Sequence, residues 1–418
     1  MSARKPALSF IFITLTLDIL GIGLIVPILP KLIEQYEGGN VAAASSTYGL
    51  LYALYALMQF LFAPLIGSLS DRFGRRPVIL ISLLGSALDY FVIAFAPNLA
   101  WFALGRVIAG LTGANFAAAS AYIADISPPE KRAANFGMIG AAFGLGFVIG
   151  PVLGGLLGQY GMKVPFFAAG GLTLLNWVYG VFVLPESLAP ENRRDFSWAR
   201  SNPIGSLLAL RRFPTLLGLI AAYFIALLAH QVYPSIWVLY TSYRFGWDTL
   251  ATGLSLAAVG VMAGGVQGGL TKRVVGAFGE AKTVRYGLIM ATFFYAAYGL
   301  ASQPWMIYVC IVFGSLSGLV TPAVQALMSQ AVPADEQGAL QGSLTSLSSL
   351  TGIIGPIVCT HLFSFFVSEK APIVLPGAPF FWSASLMLVA LAFALPALRR
   401  ITPRSGSAHG SSPVPSSH

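Results

Sequence analysis

Residues Gly67 to Pro77 read GSLSDRFGRRP and stand between two long apolar runs. They hold Asp71, Arg72, Arg75 and Arg76 in a chain of which only 9% is charged. Each arginine at a bilayer centre would cost about 2.5–3.5 kcal/mol on insertion scales, so this Gly-rich basic turn belongs outside the hydrocarbon. With the turn fixed on one membrane face, the other loops can be counted from it.

The chain has 418 residues, 56% of them hydrophobic, and a mean hydropathy of +0.77, which excludes a soluble domain. At about 20 residues per helix, this length holds roughly twelve transmembrane spans with short loops. The net charge of +9 does not point to nucleic acid, because the basic residues are scattered through loops between apolar runs. Cys310 and Cys359 both fall inside apolar runs, so neither a disulfide framework nor a metal site is expected. The N-terminal MSARKP resembles a signal-peptide start. The apolar run behind it is long, contains Asp18 and lacks a small-residue cleavage pattern, so it is expected to stay as the first helix.

Apolar runs of spanning length fall near 8–32, 47–69, 78–96, 99–123, 134–158 and 164–184. They resume near 214–240, 250–270, 283–302, 304–329, 339–366 and 375–397. Counting alternate loops, 19 of the 24 Lys and Arg share the side of Gly67–Pro77, and four (Lys31, Lys163, Arg244 and Lys370) lie on the other. The remaining one, Arg106, is inside the fourth run. This asymmetry puts both termini and the basic turn in the cytoplasm. The expected organisation is an all-α membrane protein with six-helix bundles at 1–184 and 214–400, a cytoplasmic linker at 185–213 and a disordered cytoplasmic tail at 401–418.

The halves repeat. AYIADISPPEKRAANFG (121–137) aligns with ALMSQAVPADEQGALQG (326–342) at an offset of 205, and the same offset carries Gly150-Pro151 onto Gly355-Pro356. GGLTKRVVGAFGE (268–280) is a degraded copy of the basic turn without an acid matching Asp71. Two similar six-helix halves predict a transporter that rocks one bundle against the other around a midplane site.

Of 15 carboxylates, only Asp18 and Asp89 lie within spans, with Arg106 as the one basic residue there. An intramembrane acid faces the bundle interior by default, and desolvation makes it able to take up and release a proton. Two acids and one arginine carry −1 when both acids are ionised, a balance that one proton or one monovalent cation could neutralise in turn. The alternative is a static arrangement in which the charges only hold helices together. Gly146, Gly150 and Gly154 make a flat stripe at i, i+4 and i+8 beside Pro151, which suits a tight crossing, a hinge or a seal. Gln59, Asn115, Asn176, Gln231, Gln267 and Gln325 are candidate substrate contacts. His230 is another, unless it serves only to bond a neighbouring helix. No nucleotide loop or catalytic motif appears, so no enzyme or cofactor is expected and energy must come from an ion gradient.

GSLSDRFGRRP resembles the loop signature of the major facilitator superfamily, and LGRVIAGLTGAN and GLGFVIGPVLGG resemble helix motifs of its drug:proton antiporters. LDILGIGLIVPILPKL, AYIADI, WVLYTSYRFGW and GALQGSLTSLSSLTGIIGP extend the resemblance to the tetracycline efflux branch. The resemblance implies export across the bacterial inner membrane of a tetracycline chelated to a metal such as Mg, carried as a monovalent cation in exchange for a proton. It implies proton or substrate roles for Asp18 and Asp89 with Arg106 as partner, pocket contacts at Gln59 and Gln267, and a gate at Asp71. Gly67, Arg72, Gly74, Arg75 and Arg76 would shape that gate. The metal would arrive with the substrate. The sequence departs from the branch at two places. Ala291 stands where a ninth-helix carboxylate is usual, and Ala263 where an eighth-helix histidine is usual. A proton antiporter for another amphiphile, or a sensor with the same fold and no flux, are the alternatives.

Overall fold

A computed structural model describes residues 8–113, 115–193, 196, 202–333 and 336–401. The N-terminal Arg4 and Lys5 and the expected disordered tail from residue 402 lie outside the described residues. The described residues contain no strand and are almost wholly helical. Among the described residues, eleven helices are long and apolar enough to span a membrane. In chain order the first six are α1 (Leu8–Tyr36), α2 (Val41–Phe73), α3 (Arg75–Ala94), α4 (Leu99–Ile126), α5 (Pro129–Gly158) and α6 (Val164–Val183). Then come α7 (Pro214–Phe245), α8 (Thr249–Phe278), α9 (Glu280–Leu300), α10 (Pro304–Gln330), α11 (Gln337–Val367) and α12 (Ala378–Ile401). Helix α9 is long enough to span but falls outside the set of eleven, because Glu280, Lys282 and Arg285 and three tyrosines dilute its apolar character.

Five of the expected uninterrupted spans are broken, and proline chemistry explains three of them. Pro27 and Pro30 cannot donate to Gly23 and Val26, and α1 breaks between Ile25 and Leu29. Pro234 cannot donate to His230, and α7 breaks at Gln231. Pro322 leaves the carbonyl of Gly318 without its helical donor, and α10 tightens to a 3₁₀ turn over Ser315–Leu319. Helix α4 divides after Thr112, and α8 widens to a π turn over Val266–Leu270. The linker between the halves contains a short helix, Pro203–Ala209, which packs on α11.

Large apolar side chains such as Leu50, Phe182 and Phe293 are exposed on the outside, as a hydrocarbon solvent permits. Inside, α5 is packed between α1 and α8, and α2 packs on α11. These α5–α8 and α2–α11 pairs join the first six helices to the last six. The hydrogen bonds between the two halves, among the described residues, fall at the end away from the basic turn. Lys31 Nζ donates to the Trp247 carbonyl (2.5 Å), Ser45 Oγ to the Thr360 carbonyl (3.0 Å), Tyr48 Oη to the Pro234 carbonyl (2.9 Å) and Thr249 Oγ1 to the Gly155 carbonyl (2.8 Å). The main buried core runs across both halves at that end, from Leu24, Ile28 and Tyr48 to Trp237 and Tyr240. Toward the basic turn the first half keeps a core of its own, around Ile11, Leu15, Ile79 and Tyr122. There Gly67 of α2 and Gly264, Gly265, Gly268 and Gly269 of α8 would meet nothing even with a Cβ. The halves are therefore sealed at one end and apart at the other.

Candidate functional site

Three buried charges converge inside the first six helices. Asp18 comes from α1, Asp89 from α3 and Arg106 from α4, and their exposures are 4%, 2% and 9%. Arg106 Nη2 donates to Asp89 Oδ2 at 2.6 Å. The second oxygen, Asp89 Oδ1, and Arg106 Nε have no hydrogen-bond partner. Helix α4 approaches closely enough for this pair because residue 105 is glycine. A Cβ there would lie 2.5 Å from Asp89 Oδ1. The Arg106 guanidinium also sits 5.9 Å from the Tyr55 ring centre. The charges of Asp18, Asp89 and Arg106 all act on the hydroxyls of Tyr55 and Tyr90, so the three groups share one electrostatic environment. A buried ion pair with spare capacity on both members is poised to accept a further partner, because an unmatched buried polar atom costs about 1–3 kcal/mol.

Among the polar candidates, Gln59 lies beside this site and donates to Tyr55 Oη and to the Gly113 carbonyl, each at 3.2 Å. Asn115 begins the second segment of α4, but its side chain lies outside the described residues. Asn176, on α6, donates from Nδ2 to the Thr14 carbonyl (2.8 Å), and the remaining candidates stand in the second half. His230 is exposed at the α7 break, with Nδ1 3.2 Å from Tyr295 Oη of α9, and its ring meets Tyr233 edge-on. Gln231, in the break itself, donates to Thr351 Oγ1 of α11 (3.3 Å). Gln325 donates to Tyr223 Oη (2.9 Å), and Gln267 is exposed within the π turn of α8. Ala291, one turn before Tyr295, is buried, and Ala263 is half-buried. The polar groups of the two halves therefore form separate sets, and the intramembrane acids belong to the first.

The basic turn is a knot of ionic contacts. Gly74 ends α2 at φ +107°, a conformation that a side chain would strain, and α3 begins at the next residue. Asp71 Oδ1 accepts from Arg75 Nη1 at 2.6 Å, and Asp125 Oδ2 at the end of α4 accepts from Arg75 Nε at 3.1 Å. Glu186, just beyond α6, accepts from the backbone N–H of Arg75 (2.8 Å) and of Arg76 (3.2 Å). It thus covers open donors at the start of α3 with a negative charge. Arg76 Nη2 donates to the Val181 carbonyl (2.6 Å), while Arg72 is exposed over the Phe73 ring. Asp125 and Glu186 were not singled out from sequence. Their signal was available, since each is an acid at a helix end on the loop side that holds the turn.

The glycine stripe of α5 faces α1. A Cβ on Gly146 would come 2.5 Å from Ile19 Cγ2, and one on Gly150 would come 2.7 Å from Gly23 Cα. Gly154 meets the Leu24 backbone in the same way, and the Pro151 carbonyl on α5's other flank packs on Gly253 of α8. No group of three or more His, Cys, Asp or Glu that could hold a metal ion occurs among the described residues.

The Major Facilitator Superfamily matches residues 11–356 of the chain. The class C tetracycline resistance protein of Escherichia coli is 42% identical over 94% of this chain and 96% of its own length. The class B protein of the same organism is 37% identical over 90% of each chain. Among solved structures, a bacterial homologue of the human lysosomal transporter Spinster, in an inward-facing and unoccupied conformation, superposes with a TM-score of 0.75. It is 16% identical and covers 94% of this chain and 96% of that one, so the likeness is one of fold. With twelve helices, a basic turn tied to the ends of α4 and α6, and a buried acid–arginine site, the chain belongs to the Major Facilitator Superfamily and, within it, to the family of the tetracycline resistance proteins.

Proposed function

We propose that the protein exports a tetracycline as a metal-chelated monovalent cation in exchange for a proton, across the bacterial inner membrane, by alternating access. The observation that carries this reading is the buried Asp89–Arg106 pair with Asp18 close by and one carboxylate oxygen unbonded. With both acids ionised the site bears −1. A proton on either acid, or a bound monocation, brings it to zero, so the two ligands compete for one low-dielectric place. The names of the relatives supply the drug class.

In this reading the basic turn and both termini face the cytoplasm, in line with the Lys and Arg asymmetry, and the open end admits drug from that side. Gln59, Asn115 and, from the second half, His230, Gln231, Gln267 and Gln325 are substrate contacts. Any Mg enters and leaves as part of the substrate. Asp71, with Arg72, Arg75 and Arg76 around Gly67 and Gly74, latches the cytoplasmic end when it closes. The test is efflux in inverted vesicles carrying an imposed pH gradient. Tetracycline with magnesium should dissipate the gradient, and failure to do so would remove the drug assignment.

A second reading, a proton antiporter for another amphiphile, is favoured by one observation. The one carboxylate of α9 is Glu280 at its first residue, and none stands in its apolar part, where buried Ala291 lies one turn before buried Tyr295. A growth screen against several drug classes separates the two readings, because tetracycline export protects against tetracycline selectively.

A further inference from the structure

Helix α6 places two buried polar groups without partners against the face of α1 that carries Asp18. Thr14, Asp18 and Gly21 share one face of α1, being four and three residues apart. The contacts on either side of Asp18 show what that face meets. Asn176 Nδ2 donates to the Thr14 carbonyl at 2.8 Å. A Cβ on Gly21 would lie 3.1 Å from Thr173 Oγ1 and 3.6 Å from Tyr90 Oη. Asp18, between Thr14 and Gly21, thus faces the seam where Thr173 and Asn176 of α6 meet Tyr90 of α3. Thr173 and Asn176 are both 0% exposed, and Thr173 Oγ1 and Asn176 Oδ1 have no hydrogen-bond partner. The charges of Asp18 and Asp89 both act on the Tyr90 hydroxyl.

We infer that Thr173, Asn176 and Tyr90 are positioning residues that hold Asp18 in its two protonation states. Asn176 Oδ1 can only accept, so it suits the neutral acid, whose O–H donates to it. The hydroxyls of Thr173 and Tyr90 can both donate, so they suit the carboxylate left when that proton departs to water. Each state of Asp18 then has its own partner ready, and Tyr90, next in sequence to Asp89, couples the two acids. The other titratable or charged groups facing this seam are Asp89 from α3, Arg106 from α4 and Tyr55 from α2. Helix α5 meets α1 there through glycine and contributes none. This inference rests on the proposed exchange of a proton at Asp18.

The experiment follows the carbonyl band of the protonated acid by infrared titration of the purified full-length protein, with Asp18→Asn identifying the Asp18 band. Thr173→Val and Tyr90→Phe, each close in shape to the original, should move its pH midpoint upward by about one unit, the effect of one lost charge-assisted hydrogen bond. Asn176→Leu should move it downward by a similar amount, and Thr173→Ser should keep the wild-type value. If Asp18→Asn removes no titrating band, proton exchange at Asp18 fails, and the positioning roles fail with it. If the band titrates in the wild type but all the variants leave its midpoint in place, or donor and acceptor variants move it the same way, the positioning roles are overturned.

Discussion

The spare atoms of the Asp89–Arg106 pair have energetic consequences that single substitutions expose. Arg106 is 9% exposed and Asp89 2%, so removing one partner leaves an uncompensated charge in a medium that cannot solvate it. The cost of such a removal is about 3–5 kcal/mol, whereas removing both charges can be nearly neutral. Arg106→Gln should therefore lower the thermal unfolding temperature of the purified protein well below that of the wild type. The double variant Asp89→Asn with Arg106→Gln should recover most of that loss. Neither variant should exchange drug for protons in vesicles, since the first leaves the site at −2 without its countercharge, and the second, although Asp18 keeps it at −1, has lost the Asp89 carboxylate. Normal exchange by Asp89→Asn alone would remove Asp89 from the coupling mechanism. The importance of these residues was legible from their rarity in apolar runs, because an intramembrane charge is costly wherever it stands. Arg106 as their partner was expected, but which acid it binds was not legible, because that depends on how closely α4 crosses α3 at Gly105.

At the level of elements, the basic turn is a junction of four helices rather than a loop. Arg75 joins the end of α2, through Asp71, to the end of α4, through Asp125, while Glu186 ties the start of α3 to the end of α6. The repeat adds a comparison. Gly279 holds φ +76° where Gly74 holds +107°, so the backbone bend survives in the second half. At the same offset Arg75 and Asp125 correspond to Glu280 and Gln330, and these too touch, with Gln330 Nε2 donating to Glu280 Oε1 at 3.2 Å. The contact is kept while the cation has become an acid and the acid an amide, so only the first-half turn carries a charge latch. Asp71, 38% exposed at its side chain, has Arg75 as its one partner among the described residues, and a new one can reach it when the open end closes. Asp71→Asn should slow drug-driven proton movement about tenfold while drug binding to the purified protein stays close to wild type. Equal loss of binding would sink the latch. Glu186→Gln, which weakens a charged helix cap, should cost about 0.5–2 kcal/mol of stability and spare binding as well. The turn and its helices were plain from sequence. Its anchors at Asp125 and Glu186 were not, because they lie 50 and 111 residues from Arg75 in the chain.

Across the whole molecule, the two halves have the same skeleton and divide the chemistry. The α1 break after Ile25 and the α7 break at Gln231 stand close to the 205-residue offset, as do the Gly150 crossing with α1 and the Gly355 crossing with α7. Yet Asp18, Asp89 and Arg106 map onto Tyr223, Phe294 and Ile311. The twelve-helix layout was legible because apolar length and loop charge are set by the membrane itself. Which end is sealed was not, because the same sequence must support both arrangements, and their difference lies in how the halves pack rather than in either half. The sealing contacts are backbone-directed, as in Ser45 Oγ to the Thr360 carbonyl and Tyr48 Oη to the Pro234 carbonyl, so they can break and re-form with little demand on side-chain identity. Alternating access requires these bonds to open in every cycle. Locking α2 to α11 with Ser45→Cys and Thr360→Cys, in a chain whose buried Cys359 is replaced by serine, should form a disulfide under mild oxidation and stop drug-driven proton movement. Reduction should restore it, and drug should still bind to the locked protein from the open end. Full turnover by the cross-linked protein would mean that this end never opens, and two rocking halves could not then be the mechanism.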